Sequence, residues 1–184
     1  MKKTHHAAVV VIPPHDIWEP IQSIRRRYDR HLKRWMPHVT LLYPFRPRAL
    51  FVEAEPELRH ACAAIQPFRA TLGELRYFAH PRGQFTLWLA PQPGEPFTRL
   101  QAALQEKYPD CDDTSRHAAG FVPHLSVGQA TGRSQLEERL AELKASWRPI
   151  AFDVLEIALI WREGDQDPFE VDRSVALGDN VSGA

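Results

Sequence analysis

Hydrophobic positions change their period several times along the chain, and each change predicts an element. Ala7 to Ile12 is an unbroken apolar run that stops at Pro13-Pro14, the pattern of a strand buried on both faces. Ile17, Ile21, Ile24, Tyr28 and Leu32 then recur at steps of three and four, which predicts an amphipathic helix from Asp16 onward. Its other face carries Arg25, Arg26, Arg27, Arg30, Lys33 and Arg34, a basic cluster that reads as a solvated face or as a lean toward a phosphate-bearing ligand. Period two follows in Pro37-His38-Val39-Thr40-Leu41, where His38 and Thr40 share one face of a strand and Val39 and Leu41 the other. A second helix is predicted near Leu50 to Ile65, with Pro56 either near its first turn or dividing it. Strands are predicted over Phe68 to Phe78 and Phe85 to Leu89, joined by the turn His80-Pro81-Arg82-Gly83. In the second of these, Thr86 and Trp88 share the face opposite Phe85, Leu87 and Leu89.

After Pro91-Gln92-Pro93-Gly94 the order repeats. A helix near Glu95 to Tyr108 precedes Pro123-His124-Leu125-Ser126-Val127, which divides its faces as the first histidine strand does. A helix through Leu136, Leu140 and Leu143 follows, with Ser134 and Glu137 spaced as a capping box. Strands over Ile150 to Trp161 and Phe169 to Leu177 close the chain. Both halves therefore run helix, histidine strand, helix, strand, strand. Two copies argue for lobes related by a pseudo-twofold axis rather than for a solenoid. The halves split near 91–94 within a single two-lobed domain over 1–184, with exchange of strands between lobes allowed. Such an axis brings His38 and His124 to opposite sides of one cleft.

Composition narrows the function. The chain has 184 residues, 43% of them hydrophobic, enough for one well-cored domain. Its 23 basic and 23 acidic residues cancel, so no global field draws it to polyanions, and any anion site must be local. Cys62 and Cys111 are too few for a disulfide framework or a thiolate metal site. No apolar run reaches membrane-spanning length, and a cytoplasmic protein is expected, as a monomer with no membrane partner. Nine histidines raise the question of a metal, but none is spaced with acidic partners on one element, and His5-His6 lies in an expected tail. His15, His31, His60 and His80 lack repeat partners and read as surface residues, while His117 precedes the second motif in a loop.

Imidazole titrates near neutrality, so of two facing histidines one can accept a proton while the other donates. Phosphodiester cleavage asks for both on opposite sides of phosphorus, and Thr40 and Ser126 are placed to donate to the non-bridging oxygens. These two motifs and the duplicated order resemble the two-histidine phosphoesterase superfamily, in particular its 2′-5′ RNA ligase and RNA 2′,3′-cyclic phosphodiesterase branch. The resemblance implies a bilobal α+β fold, with antiparallel sheets around a central cleft and helices outside. It implies hydrolysis of a 2′,3′-cyclic phosphate, on RNA ends or nucleotides, without metal or other cofactor, and in some members reversible 2′-5′ joining. His38 and His124 become the acid–base pair, and Thr40 and Ser126 the phosphate holders, with Ser126 standing where many members have Thr. Tyr43, Phe45 and Trp88 are candidate base-stacking aromatics, although Tyr43 by strand parity shares the apolar face of Val39 and Leu41. Arg46 and Arg162 are candidate phosphate contacts. The rival reading is a module that binds RNA or nucleotide in the same cleft without turning it over.

Overall fold

The structure, a computed structural model, describes residues 2–116 and 120–178. It has two four-stranded antiparallel sheets. In the first, strands β1 (Ala7–Val11), β2 (Val39–Leu42), β7 (Glu156–Trp161) and β8 (Glu170–Ala176) lie in the order β2-β1-β7-β8. In the second, β3 (Phe68–His80), β4 (Gln84–Gln92), β5 (Leu125–Thr131) and β6 (Ile150–Val154) lie in the order β5-β4-β3-β6. Helices α2 (Phe51–Ala63) and α3 (Glu95–Lys107) pack on the first sheet, and α1 (Trp18–Tyr28) and α4 (Arg133–Ser146) on the second. The fold is thus α+β and bilobal, with helices outside and a cleft between the sheets. No helix among the described residues is long and apolar enough to cross a membrane.

Alternation explains the layering. In β1, Ala7, Val9 and Val11 face the main core with Leu58, Phe97 and Leu100 of the helices, while Ala8 and Val10 face the cleft side with Ile160 and Phe169. All five residues are buried, as the unbroken apolar run requires of a strand with both faces covered.

The sheets do not follow the sequence halves. β3 and β4, before the split at 91–94, pair with β6 and β5, after it. The first sheet joins the beginning of the chain to its end through β1 and β7. The strand expected over 150–161 is two strands in different sheets, broken at exposed Leu155 where the chain crosses between them.

Several local expectations are corrected. The first helix stops at Tyr28, because Asp29 turns extended and its carboxylate accepts from Arg25 Nε and from the His31 backbone N–H, both at 2.8 Å. Leu32 lies beyond it in a turn. Pro56 sits inside an undivided α2, where the carbonyl it leaves unbonded belongs to exposed Val52 and can be met by water. Ser134 does not cap α4; Gly132, at φ +78°, holds that position, and Gln135 instead accepts from the Thr131 N–H.

Candidate active site

β2 and β5 are the edge strands of their sheets, and the two edges lie against each other. On each, the proline before the histidine pushes the residue ahead of it toward extended backbone. The carbonyl two residues back then accepts from the imidazole: His38 Nδ1 lies 2.7 Å from Met36 O, and His124 Nδ1 2.7 Å from Val122 O. A carbonyl only accepts, so both rings carry their proton on Nδ1, and proton exchange falls to Nε2.

An aromatic pair backs each ring. Trp35 stacks on His38, with centroids 4.7 Å apart, and is itself stacked on Phe169. Phe78 meets His124 edge-on at 4.9 Å and stacks on Trp88. Burial, above all, pushes the His38 pKa down to about 4; Arg25 and the facing His124 lower it too, against the Met36 carbonyl and Asp29. His38 is therefore neutral at physiological pH, with Nε2 unprotonated.

The cleft has two compartments that meet at Thr86 and Ser126. The larger, about 590 Å³, holds His124 and Thr40 with apolar walls from Tyr43, Phe78 and Phe121. The smaller, about 210 Å³, holds His38 with Arg25, Asp29, Arg30, His31 and Gln129. Both histidines and both hydroxyls are thus brought to one cleft.

A matched irregularity shapes both strands. β1 pairs Val9 with Leu42 and Val10 with Thr40, so Leu41 is an extra residue; β4 pairs Leu87 with Gly128 and Trp88 with Ser126, so Val127 is extra. Each bulge falls on the residue after the motif hydroxyl and reverses the parity beyond it. Tyr43 and Gln129 are thereby carried onto the histidine face. Tyr43 lines the cavity instead of joining Val39 and Leu41, correcting the parity expectation.

Three other candidates lie elsewhere, and a fourth has a different post. Phe45 is fully buried, its backbone N–H bonded to the carbonyls of Thr4 and Ala7 and its ring against Phe51 and Tyr108. Arg46 is buried in a bidentate pair with Asp110, both bonds 2.6 Å. Arg162 is buried over the Phe169 ring and donates to the Asp165 carbonyl. Trp88 does face the histidines, but it is 3% exposed, a support behind His124 rather than a stacking surface.

Arg25, read as part of a solvated helix face, is buried; besides Asp29 it donates to Trp35 O at 2.8 Å, fixing the turn that carries the ring stacked on His38. His31, expected at the surface, is partly buried and lines the smaller compartment; His80 is exposed, as expected, and also lines the larger one, bonding the Thr86 hydroxyl at 2.9 Å. His5 lines the larger compartment, held there by the Thr4–Phe45 bridge rather than trailing in a tail. His117 lies outside the described residues. Trp35, Asp29 and Gln129 carry no sequence signal of their own, since a turn and a bulge bring them in. Among the described residues no group of three or more His, Cys, Asp or Glu side chains is placed to hold a metal ion.

The model of the 2′-5′ RNA ligase superfamily matches residues 13–166 of the chain. A relative from Geobacillus kaustophilus bearing the name "Putative phosphoesterase GK0864" is 26% identical over 137 residues, 74% of this chain and 76% of its own. Among solved structures, TT0787 of Thermus thermophilus superposes with a TM-score of 0.61 at 20% identity, covering 95% of this chain and 99% of that one. The E. coli LigT structure complexed with 3′-AMP superposes with a TM-score of 0.60 at 17% identity, covering 96% and 99%. At those identities the structures share the fold.

Proposed function

Because the chain belongs to the 2′-5′ RNA ligase superfamily, we propose that it is a metal-independent phosphodiesterase acting on 2′,3′-cyclic phosphate ends of RNA or of nucleotides. The observation that carries this reading is the pair of identically tethered histidines, each with a hydroxyl two residues on, at the meeting of two edge strands. The reacting phosphate sits where the compartments join. Thr40 and Ser126 donate to its non-bridging oxygens and offset the charge that builds there. Water attacks phosphorus and gives a proton to Nε2 of neutral His38, while the bond from phosphorus to O3′ breaks and that oxygen takes a proton from His124. The product is a 2′-phosphate. Replacing water by a ribose hydroxyl of a second strand would join RNA ends through the same steps. The larger compartment, walled by Tyr43, Phe78 and Phe121, suits the base of the nucleotide. In support, the LigT fold neighbour has been solved with 3′-AMP and with phosphate.

The test is turnover of a nucleoside 2′,3′-cyclic phosphate in EDTA between pH 5 and 9, for the wild type, His38→Ala and His124→Ala. Turnover is expected to survive the chelator and to fall by about 10²–10⁴-fold in either variant. Saturable binding of cyclic phosphates with no turnover would sink the enzyme reading and leave a binding module in the same cleft.

A further inference from the structure

Beyond His38 the smaller compartment ends at a group of cations that no carboxylate among the described residues pairs with directly, although Asp165 feels the Arg34 charge. The guanidinium groups of α1 itself find acids: Arg25 pairs with Asp29, Arg26 with Glu19, Arg27 with Glu142. Just past the helix, Arg30, Lys33 and Arg34 have no acidic partner among the described residues. The Arg30 Nε instead lies 3.2 Å from His31 Nε2, and Arg34 Nη2 lies 2.6 Å from His31 Nδ1, with Nη1 reaching the Asp165 carbonyl at 3.4 Å. A neutral imidazole has only one nitrogen able to accept. Whichever tautomer His31 adopts, one guanidinium therefore points an N–H at another N–H. Ionising would deepen the conflict by turning the one acceptor into a donor, and desolvation, then the Arg34 charge, holds the His31 pKa below its ordinary value, which leaves the ring wedged between two positive groups. The nearest acid, Asp29, is already engaged by Arg25 Nε, the His31 N–H and Gln129 Nε2 at 2.8, 2.8 and 3.1 Å. An anion at Arg30 would supply acceptors to donors that now oppose each other.

We propose that Arg30, with His31 and Arg34 behind it, binds a second phosphate of the substrate, the one on the 5′ oxygen of the nucleoside whose 2′,3′-cyclic phosphate reacts. This rests on the phosphodiesterase reading above. Arg30 and His38 line one compartment with Ser126 and Thr86, so the guanidinium and the reacting phosphorus share a space of about 210 Å³. The same chemistry has two sources: a free 5′-phosphate on a mononucleotide, or the next internucleotide phosphate of an RNA strand.

The experiment compares kcat/KM for three substrates: a nucleoside 2′,3′-cyclic phosphate, the same molecule with a 5′-phosphate, and a dinucleotide ending in the cyclic phosphate. In the wild type the second phosphate is expected to raise kcat/KM by about tenfold or more. Arg30→Gln and Arg34→Gln should each draw that ratio toward one, and so should added salt in the wild type, which serves as a check that needs no folded variant. Equal gains for the two phosphorylated substrates assign the site to the phosphate alone. A larger gain for the dinucleotide, still lost in Arg30→Gln, assigns it to an RNA strand. A wild-type ratio near one, or a ratio that persists in both variants, overturns the inference. Absence of turnover on all three substrates removes the phosphodiesterase reading itself, whereas turnover with a ratio near one removes this inference alone.

Discussion

A histidine that spends its Nδ1 proton on a backbone carbonyl has one nitrogen fixed by structure and leaves proton exchange to the other, and the cleft holds two built this way. They need not titrate alike. His38 lies between burial, Arg25 and His124, which hold its pKa at about 4, against an ordinary value of 6.5. If His38 takes the proton from water, the acid limb of kcat/KM, which reports the free enzyme, is expected well below the usual histidine range. Stability carries the same signature with a definite sign. Between about pH 6.5 and 4 the unfolded chain binds a proton at His38 that the folded chain refuses, so stability falls as the pH falls through that window. The share due to this one ring is on the order of 3 kcal/mol at most. Thermal unfolding of the wild type and of His38→Asn from pH 4 to 7 checks it: the variant should lose part of the acid slope, and parallel curves would refute the assignment.

At the scale of elements, the helix that precedes the first histidine strand in the chain is packed on the second. α1 lies on β5, where a Cβ placed on Gly128 would come within 2.6 Å of Tyr28 Cβ and 3.0 Å of Tyr28 O. Backbone cannot yield as a side-chain tip does, so the glycine is there to let the helix approach. Gly128→Ala is expected to cost about 2 kcal/mol and lower the melting temperature by roughly 4–8 °C; an unchanged melting curve would show that α1 is held some other way. The same elements show what a sequence can and cannot disclose. Period two makes both histidine strands legible, together with their hydroxyls, because alternation is a local property of backbone geometry. The bulges at Leu41 and Val127 are not legible, since an extra residue is visible only against the partner strand. Strand parity alone therefore gives Tyr43 the wrong face and says nothing of Gln129. Phe45, Arg46 and Arg162 stand near strand ends in the chain, which suggests the cleft, but contacts beyond the reach of local pattern hold them in the core. Tyr108 takes the Phe45 ring, Asp110 the Arg46 guanidinium, and Phe169 that of Arg162.

The whole molecule joins its repeats by interleaving them. Each copy contributes to both sheets: the first supplies β1 and β2 to one and β3 and β4 to the other, and the second supplies β5 and β6 to one and β7 and β8 to the other. The helices cross over as well, α1 onto β5 and α3 onto β2. A cut within 91–94, where the repeat is clearest in sequence, therefore severs no lobe from the other. It leaves a fragment with β1 and β2 lacking β7 and β8, and β3 and β4 lacking β5 and β6, without α3 and α4 over their apolar faces. Each fragment also retains one histidine of the pair. Neither piece, 1–93 or 94–184, is expected to fold alone, because each would expose edges and core faces that only the other covers. Mixed, they should recover native circular dichroism and, with it, turnover of a cyclic phosphate, since the two histidines meet only where β2 and β5 do. A cooperative thermal transition in either fragment alone would show that the sequence repeat is also a unit of folding, and that the interleaved sheets are not what holds the two lobes to one another.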